Sequence, residues 1–266
     1  MCPTSYRQPP QKYSIIQILL PLTRNPITAR SNREVPSSNF QYEPIPDSQI
    51  QWVITRMSPY KATGPSGLSN SVLTHWEELL TPFLGCLYQA TFHLNTLLQQ
   101  WKSTTTAVLQ EPNKPDYTIA KAYRLITLME TLTKPLSGCV AETLSFQAEK
   151  HNLLPKTNFG GWPGRNTTDT LHLMIKFIFD QWRNGNVVSP LFLDIKGAFP
   201  SVKVQKLIHN MRIKGIPQEY TNWILNRLQG CQTRIQFDDF TSGPLDIDNG
   251  CDQGDPPLSS SITFTM

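Results

Sequence analysis

The sequence predicts an α+β protein in which mixed helices share the chain with one sheet. Apolar residues recur at helical spacing in 47–57, 131–153 and 167–182. The segment 104–128 combines β-prone residues with a charged turn, which is typical of a hairpin. The apolar run 187–195 is too short for a stable helix and predicts a buried strand. These patterns together favour the α+β class.

Composition limits the classes of protein to which the chain can belong. Its 266 residues, 39% of them hydrophobic, suffice for one large or two modest domains. The formal charge of +4 favours an anionic partner. The five cysteines never form a Cys-x-x-Cys pair, so no disulfide partner and no zinc site are expected. This cysteine usage favours an intracellular protein of the nucleus or cytoplasm. No stretch can span a bilayer, which predicts no membrane contact.

The N-terminal part begins with a segment rich in Pro, Ser, Arg and Gln at 1–46, which predicts a disordered or linker remnant. A short helix is expected from Asp47. The Gly/Pro loop Lys61–Leu68 could bring backbone amides close to phosphates, although its spacing is not that of a P-loop. After it, an apolar helical stripe is predicted to be core. That stripe comprises Val72, Trp76, Leu79, Leu80, Phe83, Leu87, Leu94, Leu97, Leu98 and Trp101.

A hairpin is expected next, with strands at 104–109 and 121–128 around the charged turn 111–116. Arg124 lies between a tyrosine and an apolar run. Its guanidinium could bind a phosphate through two parallel hydrogen bonds, or Arg124 could be a solvated arginine on a strand edge. Both interpretations stay open from the residues alone.

Two helices are predicted after the hairpin. The first covers 131–153 and ends by Pro155. The loop 158–169 opens the second, with Thr167 or Thr168 as its cap. Glycines, an aromatic residue and Arg165 in that loop suit contact with a nucleic-acid backbone, and a purely structural loop is the alternative. The predicted buried face of the second helix consists of Leu171, Met174, Ile175, Ile178, Phe179 and Trp182.

Asp194 ends the apolar run 187–195, and a buried carboxylate is costly unless something uses it. It could bind a divalent metal, or it could cap the turn at Gly197. Pro190 lies inside the predicted strand, where it removes a hydrogen-bond donor. From Lys196 to Lys214 there are five basic residues and no acids, which predicts a basic face.

The C-terminal part is predicted to contain two helices and a small β region. One helix ends at Gly215, and the next begins at Pro217 and stops at Gly230. A strand at 233–237 is expected to turn at Asp238-Asp239 and to return through Leu245 and Ile247.

Five segments of the chain, in the order given next, resemble the reverse transcriptase domain of non-LTR (LINE-type) retrotransposons of the type found in fungal genomes. They are Lys61–Leu68 (Lys-Ala-Pro-Gly-Pro-Asp-Gly in the family), Tyr123–Ile126 (Tyr-Arg-Pro-Ile), Phe159–Asp169 (Phe-Gly-x-Arg-x-Gly-Arg-Ser-Thr-x-Asp), Leu191–Phe199 (palm motif A) and Gly250–Ser259 (palm motif B, Gly-x-x-Gln-Gly-Ser/Asp-Pro-x-Ser). Single departures occur within them, since Ser66 replaces an aspartate and Leu125 a proline.

The resemblance implies a right-hand polymerase with a fingers-like region at 47–186 and a partial palm at 187–266, the thumb being absent. The implied activity is RNA-directed DNA polymerisation, a Mg²⁺-dependent nucleotidyl transfer. The implied partners are an RNA template, a DNA primer and deoxynucleoside triphosphates.

The resemblance also implies roles for individual residues. Asp194 would be the catalytic carboxylate and a Mg²⁺ ligand beside the carbonyl of Ile195. Substrate contacts would come from Arg124 and Lys121 at the triphosphate, Phe199 under the sugar, and Gln253 and Gly254 in the nucleotide pocket. Nucleic-acid contacts would come from Lys61, Arg165, Lys196, Lys203 and Lys206.

The third palm motif of the family, Phe/Tyr-x-Asp-Asp, follows motif B, and the chain reaches Met266 before it. Phe237-Asp238-Asp239 precedes motif B and lacks the one-residue gap, so it is predicted to be a turn. One carboxylate cannot organise two metal ions, which predicts an inactive isolated chain. A non-catalytic nucleic-acid-binding module and an incompletely folding pseudogene product are the other two hypotheses.

Overall fold

The computed structural model describes residues 35–155, 157–160, 164–192, 199–248 and 250–251. The described part is a mixture of helices and a small sheet, as the sequence predicts. None of its helices is both long and apolar enough to cross a membrane. In chain order the elements are α1 (Asp47–Thr55), α2 (Asn70–His75), α3 (Glu77–His93), β1 (Ser103–Gln110), β2 (Tyr123–Met129), α4 (Thr133–Lys150), α5 (Thr167–Arg183), α6 (Val204–Ile213), α7 (Gln218–Leu228), β3 (Cys231–Phe237), β4 (Phe240–Thr241) and β5 (Leu245–Ile247).

The sheet is built on the predicted hairpin of β1 and β2, which pair antiparallel with Leu109 opposite Arg124. β3 runs parallel to β1 on its other side, and both β4 and β5 pair antiparallel with β3. The predicted turn at Asp238-Asp239 is confirmed, because Phe237 pairs with Phe240 across it and Asp238 takes a φ of 48°. Aspartate tolerates this left-handed conformation better than most residues.

The core lies where α1 packs against α3 and α4, and α7 packs against α3 and α6. The apolar residues that recur at helical spacing in α1, α6 and α7 face inward, since Ile50, Leu207 and Ile224 are fully buried. The α6 helix ends as expected at Gly215, which has a φ of 76°. The largest fully buried side chains are Trp223, Arg227, Tyr88, Tyr220, Ile50, Ile54, Leu73, Leu136, Leu144, Leu207, Met211 and Ile224.

The packed region begins earlier than position 47, where the predicted linker ends. Ile45 is only 2% exposed, and Phe40 and Tyr42 pack against the core. The Tyr42 ring lies 5.4 Å from the ring of Tyr220. The proline-rich composition of 1–46 therefore did not indicate three large apolar side chains that bury surface in the core, of which Phe40 and Tyr42 contact Tyr220 of α7.

The apolar stripe predicted as core along α2 and α3 is wrong for six of its ten members, whereas Leu80 and Leu87 are partly buried and pack against the core. Trp76, Leu79 and Phe83 are 54%, 60% and 70% exposed. The chain instead buries Leu84 and Tyr88 from α3. Both faces of this region are apolar, and the helix breaks at Trp76, so periodicity alone could not select the face that turns inward. Among the other predicted members, Val72, Leu94 and Leu98 are also exposed, whereas Leu97 and Trp101 are buried.

The α5 helix forms where expected, but the two predictions about its side chains are wrong. Its cap is Asn166, whose side chain accepts from the backbone N–H of Asp169 while the Asp169 carboxylate accepts in return from that of Asn166. Within the described part of the chain, α5 buries none of its residues. Phe179 and Trp182 are 51% and 57% exposed. An apolar stripe identifies the face of a helix that prefers burial, not what covers it.

The predicted strand 187–195 is wrong for its described residues 187–192, which are irregular. Val187, Leu191 and Phe192 are exposed instead of buried. Pro190 has no N–H to donate to a neighbouring strand, and this favours an unpaired conformation. The remaining positions, including Asp194 and Ile195, lie outside the described residues.

Candidate nucleotide and nucleic-acid site

The hairpin tip places two cations around one carboxylate. Arg124 Nε donates to Glu111 Oε1 at 2.5 Å, and Lys114 Nζ lies 2.7 Å from Glu111 Oε2. The Arg124 side chain is 68% exposed, whereas that of Glu111 is 19% exposed. Hydrogen bonds from Lys114 and Arg124 hold the pKa of Glu111 below its usual value. The guanidinium predicted to contact a triphosphate is therefore already engaged by a protein carboxylate.

The loop that connects β1 and β2 is held by its own hydrogen bonds. The Glu111 N–H donates to the carbonyl of Ala122 at 2.8 Å, and the Tyr117 hydroxyl donates to the carbonyl of Glu111 at 2.9 Å. The Tyr123 hydroxyl donates in turn to the carbonyl of Tyr117. Lys121 is exposed in the turn just before β2, three residues from Arg124. Such bonding fixes the backbone from which Glu111 and Arg124 project.

The Lys61–Leu68 loop is tied to the far end of β2 by a buried carboxylate. Glu130, 6% exposed, accepts from the Ser66 hydroxyl at 2.6 Å and from the backbone N–H groups of Ser66 and Thr131. The Thr131 hydroxyl donates to the carbonyl of Leu68 at 2.6 Å. Lys61 itself is exposed. The loop is thus anchored at its C-terminal half, leaving the lysine in solvent.

Lys134 supports the same loop from α4. Its Nζ donates to the carbonyl of Ala62 and to Oδ1 of Asn70, both at 3.1 Å. Burial lowers the pKa of Lys134, which the nearby Glu130 partly offsets. Arg124 lies near the opposite end of β2 from Glu130, about 20 Å away along the strand. The two anchored loops therefore sit at different ends of the hairpin.

Backbone hydrogen bonds join the described ends of the two segments that resemble palm motifs A and B. The Cys251 N–H donates to the carbonyl of Phe199, and that of Gly250 donates to the carbonyl of Val202, both at 3.0 Å. Gly250 has a φ of 96°, and a Cβ there would lie 3.1 Å from the Cα of Pro200. Only glycine accepts that conformation and approach without strain. Phe199 is half-buried and packs against the core.

Several predicted site residues fall outside the described residues, namely Asp194, Ile195, Lys196, Gln253 and Gly254. Their predicted roles stay predictions. The described ranges contain no group of three His, Cys, Asp or Glu residues that could hold a metal ion.

The predicted basic face exposes fewer of its described basic residues than the sequence suggests. Arg212 donates to the Thr221 hydroxyl and to Asn222, and so serves the packing of α6 on α7. Lys214 is half-buried, with its Nζ 3.5 Å from a backbone carbonyl, and burial lowers its pKa. Lys203 and Lys206 are exposed at the start of α6. Among the described residues of this face, these two lysines are the ones classed as exposed to solvent.

Arg165 is partly enclosed at the loop before α5. It donates to the carbonyl of Asn158 at 2.8 Å and lies 3.8 Å from the carboxylate of Glu149. Its guanidinium is 5.8 Å from the centre of the Phe159 ring. A cavity of about 260 Å³ borders this arginine and the end of α4. The described contacts give Arg165 a structural role alongside its predicted nucleic-acid contact.

Comparison with known proteins identifies relatives of one kind, although no family model matches the chain. A probable RNA-directed DNA polymerase from the Drosophila melanogaster transposon X-element is 25% identical over 212 residues, which are 79% of this chain and 23% of that protein. A probable RNA-directed DNA polymerase from the transposon BS of the same organism is 24% identical over 84% of the chain and 25% of the relative. For the D. melanogaster mobile element jockey the identity is 23%, over 82% of the chain and 24% of the relative.

The chain is similar over about four-fifths of its length to transposon RNA-directed DNA polymerases. The predicted resemblance is confirmed in its coarser form, because these relatives are RNA-directed DNA polymerases of mobile elements. The chain spans about a quarter of the length of the curated relatives it matches.

Two carboxylates of the site, Glu111 and Glu130, are not part of any motif in the sequence. Glu111 lies one residue beyond the β1 position that pairs with Tyr123, so the register brings it close to Arg124. A carboxylate at this place in a predicted hairpin is a signal that could have been found. Glu130 lies far in sequence from Ser66, and only the fold brings the two together.

Proposed function

We propose that the chain forms the fingers and part of the palm of a right-hand reverse transcriptase from a non-LTR retrotransposon of the fungal type. The reaction would add a nucleotide from a deoxynucleoside triphosphate to a DNA primer paired with an RNA template. The observation that carries the proposal is the backbone hydrogen bond between Phe199 and Cys251, which lie in the segments that resemble palm motifs A and B. A second bond joins Gly250 to Val202, three residues after the first segment. Homology to transposon RNA-directed DNA polymerases supports the same activity. An intracellular location, in the nucleus or cytoplasm, belongs to this proposal.

In this proposal Asp194 and the carbonyl of Ile195 hold Mg²⁺. Carboxylate and carbonyl oxygens are the hard donors that this ion prefers. When bound, Mg²⁺ would lower the pKa of the primer 3′-hydroxyl and offset charge on the triphosphate. The chain's own side chains bind and orient the substrate: Arg124 and Lys121 at the phosphates, Phe199 against the sugar, and Gln253 and Gly254 along the base.

Nucleic-acid binding would use cations at several places on the surface. They are Lys61, Arg165, Lys196, Lys203 and Lys206. Each lysine or arginine that neutralises a phosphate releases counterions, so affinity falls as salt rises. The basic residues therefore position template and primer without reading their sequence.

Replacing Lys203 and Lys206 together with glutamine is expected to weaken binding of an RNA–DNA template–primer. If each lysine contacts one phosphate, the slope of log affinity against log salt becomes shallower by about 0.7–0.9 for each lysine. Fluorescence anisotropy at several salt concentrations measures that slope. The matched control replaces Lys150 and Lys176, two exposed lysines on α4 and α5, and is expected to leave the slope unchanged. Equal effects of the two double variants would contradict a localised site.

The proposed function is tested by template-directed nucleotide binding. The full chain, loaded with a poly(rA)–oligo(dT) template–primer and Mg²⁺, is expected to retain dTTP in preference to dGTP. Arg124→Gln removes a charge-assisted contact with phosphate and is expected to weaken dTTP retention by about 10-fold or more. Retention of the template–primer without any choice between nucleotides would overturn the polymerase proposal and favour a non-catalytic nucleic-acid-binding module.

A further inference from the structure

The contact between Glu111 and Arg124 bears directly on how the phosphates of a nucleotide could reach the hairpin. Arg124 Nε donates to Oε1 of Glu111, and Lys114 Nζ lies within 2.7 Å of Oε2. The carboxylate therefore lies between two cations, and one of them is the predicted triphosphate contact. A phosphate oxygen would accept hydrogen bonds from the same guanidinium.

The geometry favours exchange of one anion for another at Arg124. Its side chain is largely exposed, so the guanidinium can turn towards solvent without opening the core. Glu111 is the less exposed partner, and it keeps Lys114 when Arg124 leaves. The carboxylate of Glu111 is partly exposed, so solvent and Lys114 both stabilise its charge after Arg124 leaves. The hydrogen-bonded backbone of the loop keeps both partners of the exchange in place.

We propose that Glu111 is a positioning residue that holds Arg124 until a polyphosphate group replaces the carboxylate. This inference rests on the proposed function, in which Arg124 contacts the triphosphate. Glu111 is tethered beside Arg124, so it competes at a high effective concentration. A single phosphate or carboxylate on a ligand offers little more charge than Glu111 itself. A triphosphate carries several charges and can contact Arg124 and Lys121 at once, so the exchange favours polyphosphate ligands.

The test measures the affinity of the full chain for inorganic triphosphate by isothermal titration calorimetry, without metal and at low salt. It compares the wild type with Glu111→Gln. Glu111→Gln removes the competing charge while keeping the shape of the side chain. It is expected to lower the Kd about two- to fivefold, the range that an exposed ion pair supports. Asp180→Asn is the matched control, because Asp180 forms an exposed ion pair with Arg183 on α5. This control is expected to leave the Kd unchanged.

A second pair of variants isolates Arg124 from Lys114. In the Arg124→Gln background, Glu111→Gln is expected to give a smaller gain, because only Lys114 is then left for the substitution to release. An equal gain in both backgrounds, or no gain in the wild-type background, overturns the role of Glu111. Unchanged affinity for inorganic triphosphate in Arg124→Gln alone overturns this inference together with the proposed contact between Arg124 and the triphosphate. A loss of affinity in Arg124→Gln without a gain in Glu111→Gln overturns only the inference about Glu111.

Discussion

Trp223→Ala is expected to lower the free energy of unfolding by about 3–5 kcal/mol, as large-to-small changes of buried aromatic residues do. Trp223 on α7 is 2% exposed, and its ring stacks on Phe92 of α3 with ring centres 6.1 Å apart. The substitution would leave a cavity where α3 and α7 meet, and the surrounding helices can close it only in part. Urea unfolding followed by circular dichroism measures the change.

Trp182→Ala is the matched control, since it makes the same chemical change on α5. Trp182 is 57% exposed, and α5 buries none of its described residues. The expected change in the free energy of unfolding is within about 0.5 kcal/mol. A loss as large as that of Trp223→Ala would contradict the exposed position of the α5 apolar face.

Gly64→Ala is expected to displace the Lys61–Leu68 loop from the end of β2. A Cβ at position 64 would overlap the carbonyl oxygen of Met129 and lie 2.7 Å from the Cα of Glu130. Both obstacles are backbone atoms, so the loop must move, and the bonds from Ser66 to Glu130 weaken with it. The expected loss of stability is about 1–3 kcal/mol. Urea unfolding measures that loss, and faster amide hydrogen exchange at Ser66 would locate it.

Gly243→Ala is the control for this change. No atom lies within 4 Å of a Cβ at position 243, so alanine is expected to change stability by no more than about 0.5 kcal/mol. Unaltered hydrogen exchange at Ser66 in Gly64→Ala would argue against the loop being clamped by β2. The pair of variants thus separates a close backbone approach from the general cost of replacing glycine.

Local patterns were sufficient for most elements of this fold. The hairpin of β1 and β2, the turn at Asp238-Asp239 and the helix that stops at Gly215 depend on residues close together in the chain. Such features follow from backbone preferences and from apolar spacing, both of which are visible in a short window of sequence.

Errors arose where burial depends on distant parts of the chain. The exposed face at Trp76 and Phe83 and the uncovered α5 helix satisfy the same periodicity as buried helices. Residues 187–192 satisfy the composition of a strand, but a strand also needs a partner for its hydrogen bonds. Apolar periodicity shows which face of a helix prefers burial, but it does not show which other element covers that face.

The sequence by itself indicated the resemblance to reverse transcriptases through the order of five motifs, and transposon RNA-directed DNA polymerases are similar to the chain at 25% identity or less. It also named Arg124 as a candidate phosphate contact. Only the tertiary structure decided which groups are in contact. Arg124 donates to Glu111, Ser66 donates to Glu130, and the Cys251 N–H donates to the carbonyl of Phe199. The physical reason is that a charged group responds to neighbours within a few ångströms, and these neighbours can be distant in the chain. Glu111 and Arg124 are 13 residues apart in sequence, and Ser66 and Glu130 are 64 residues apart.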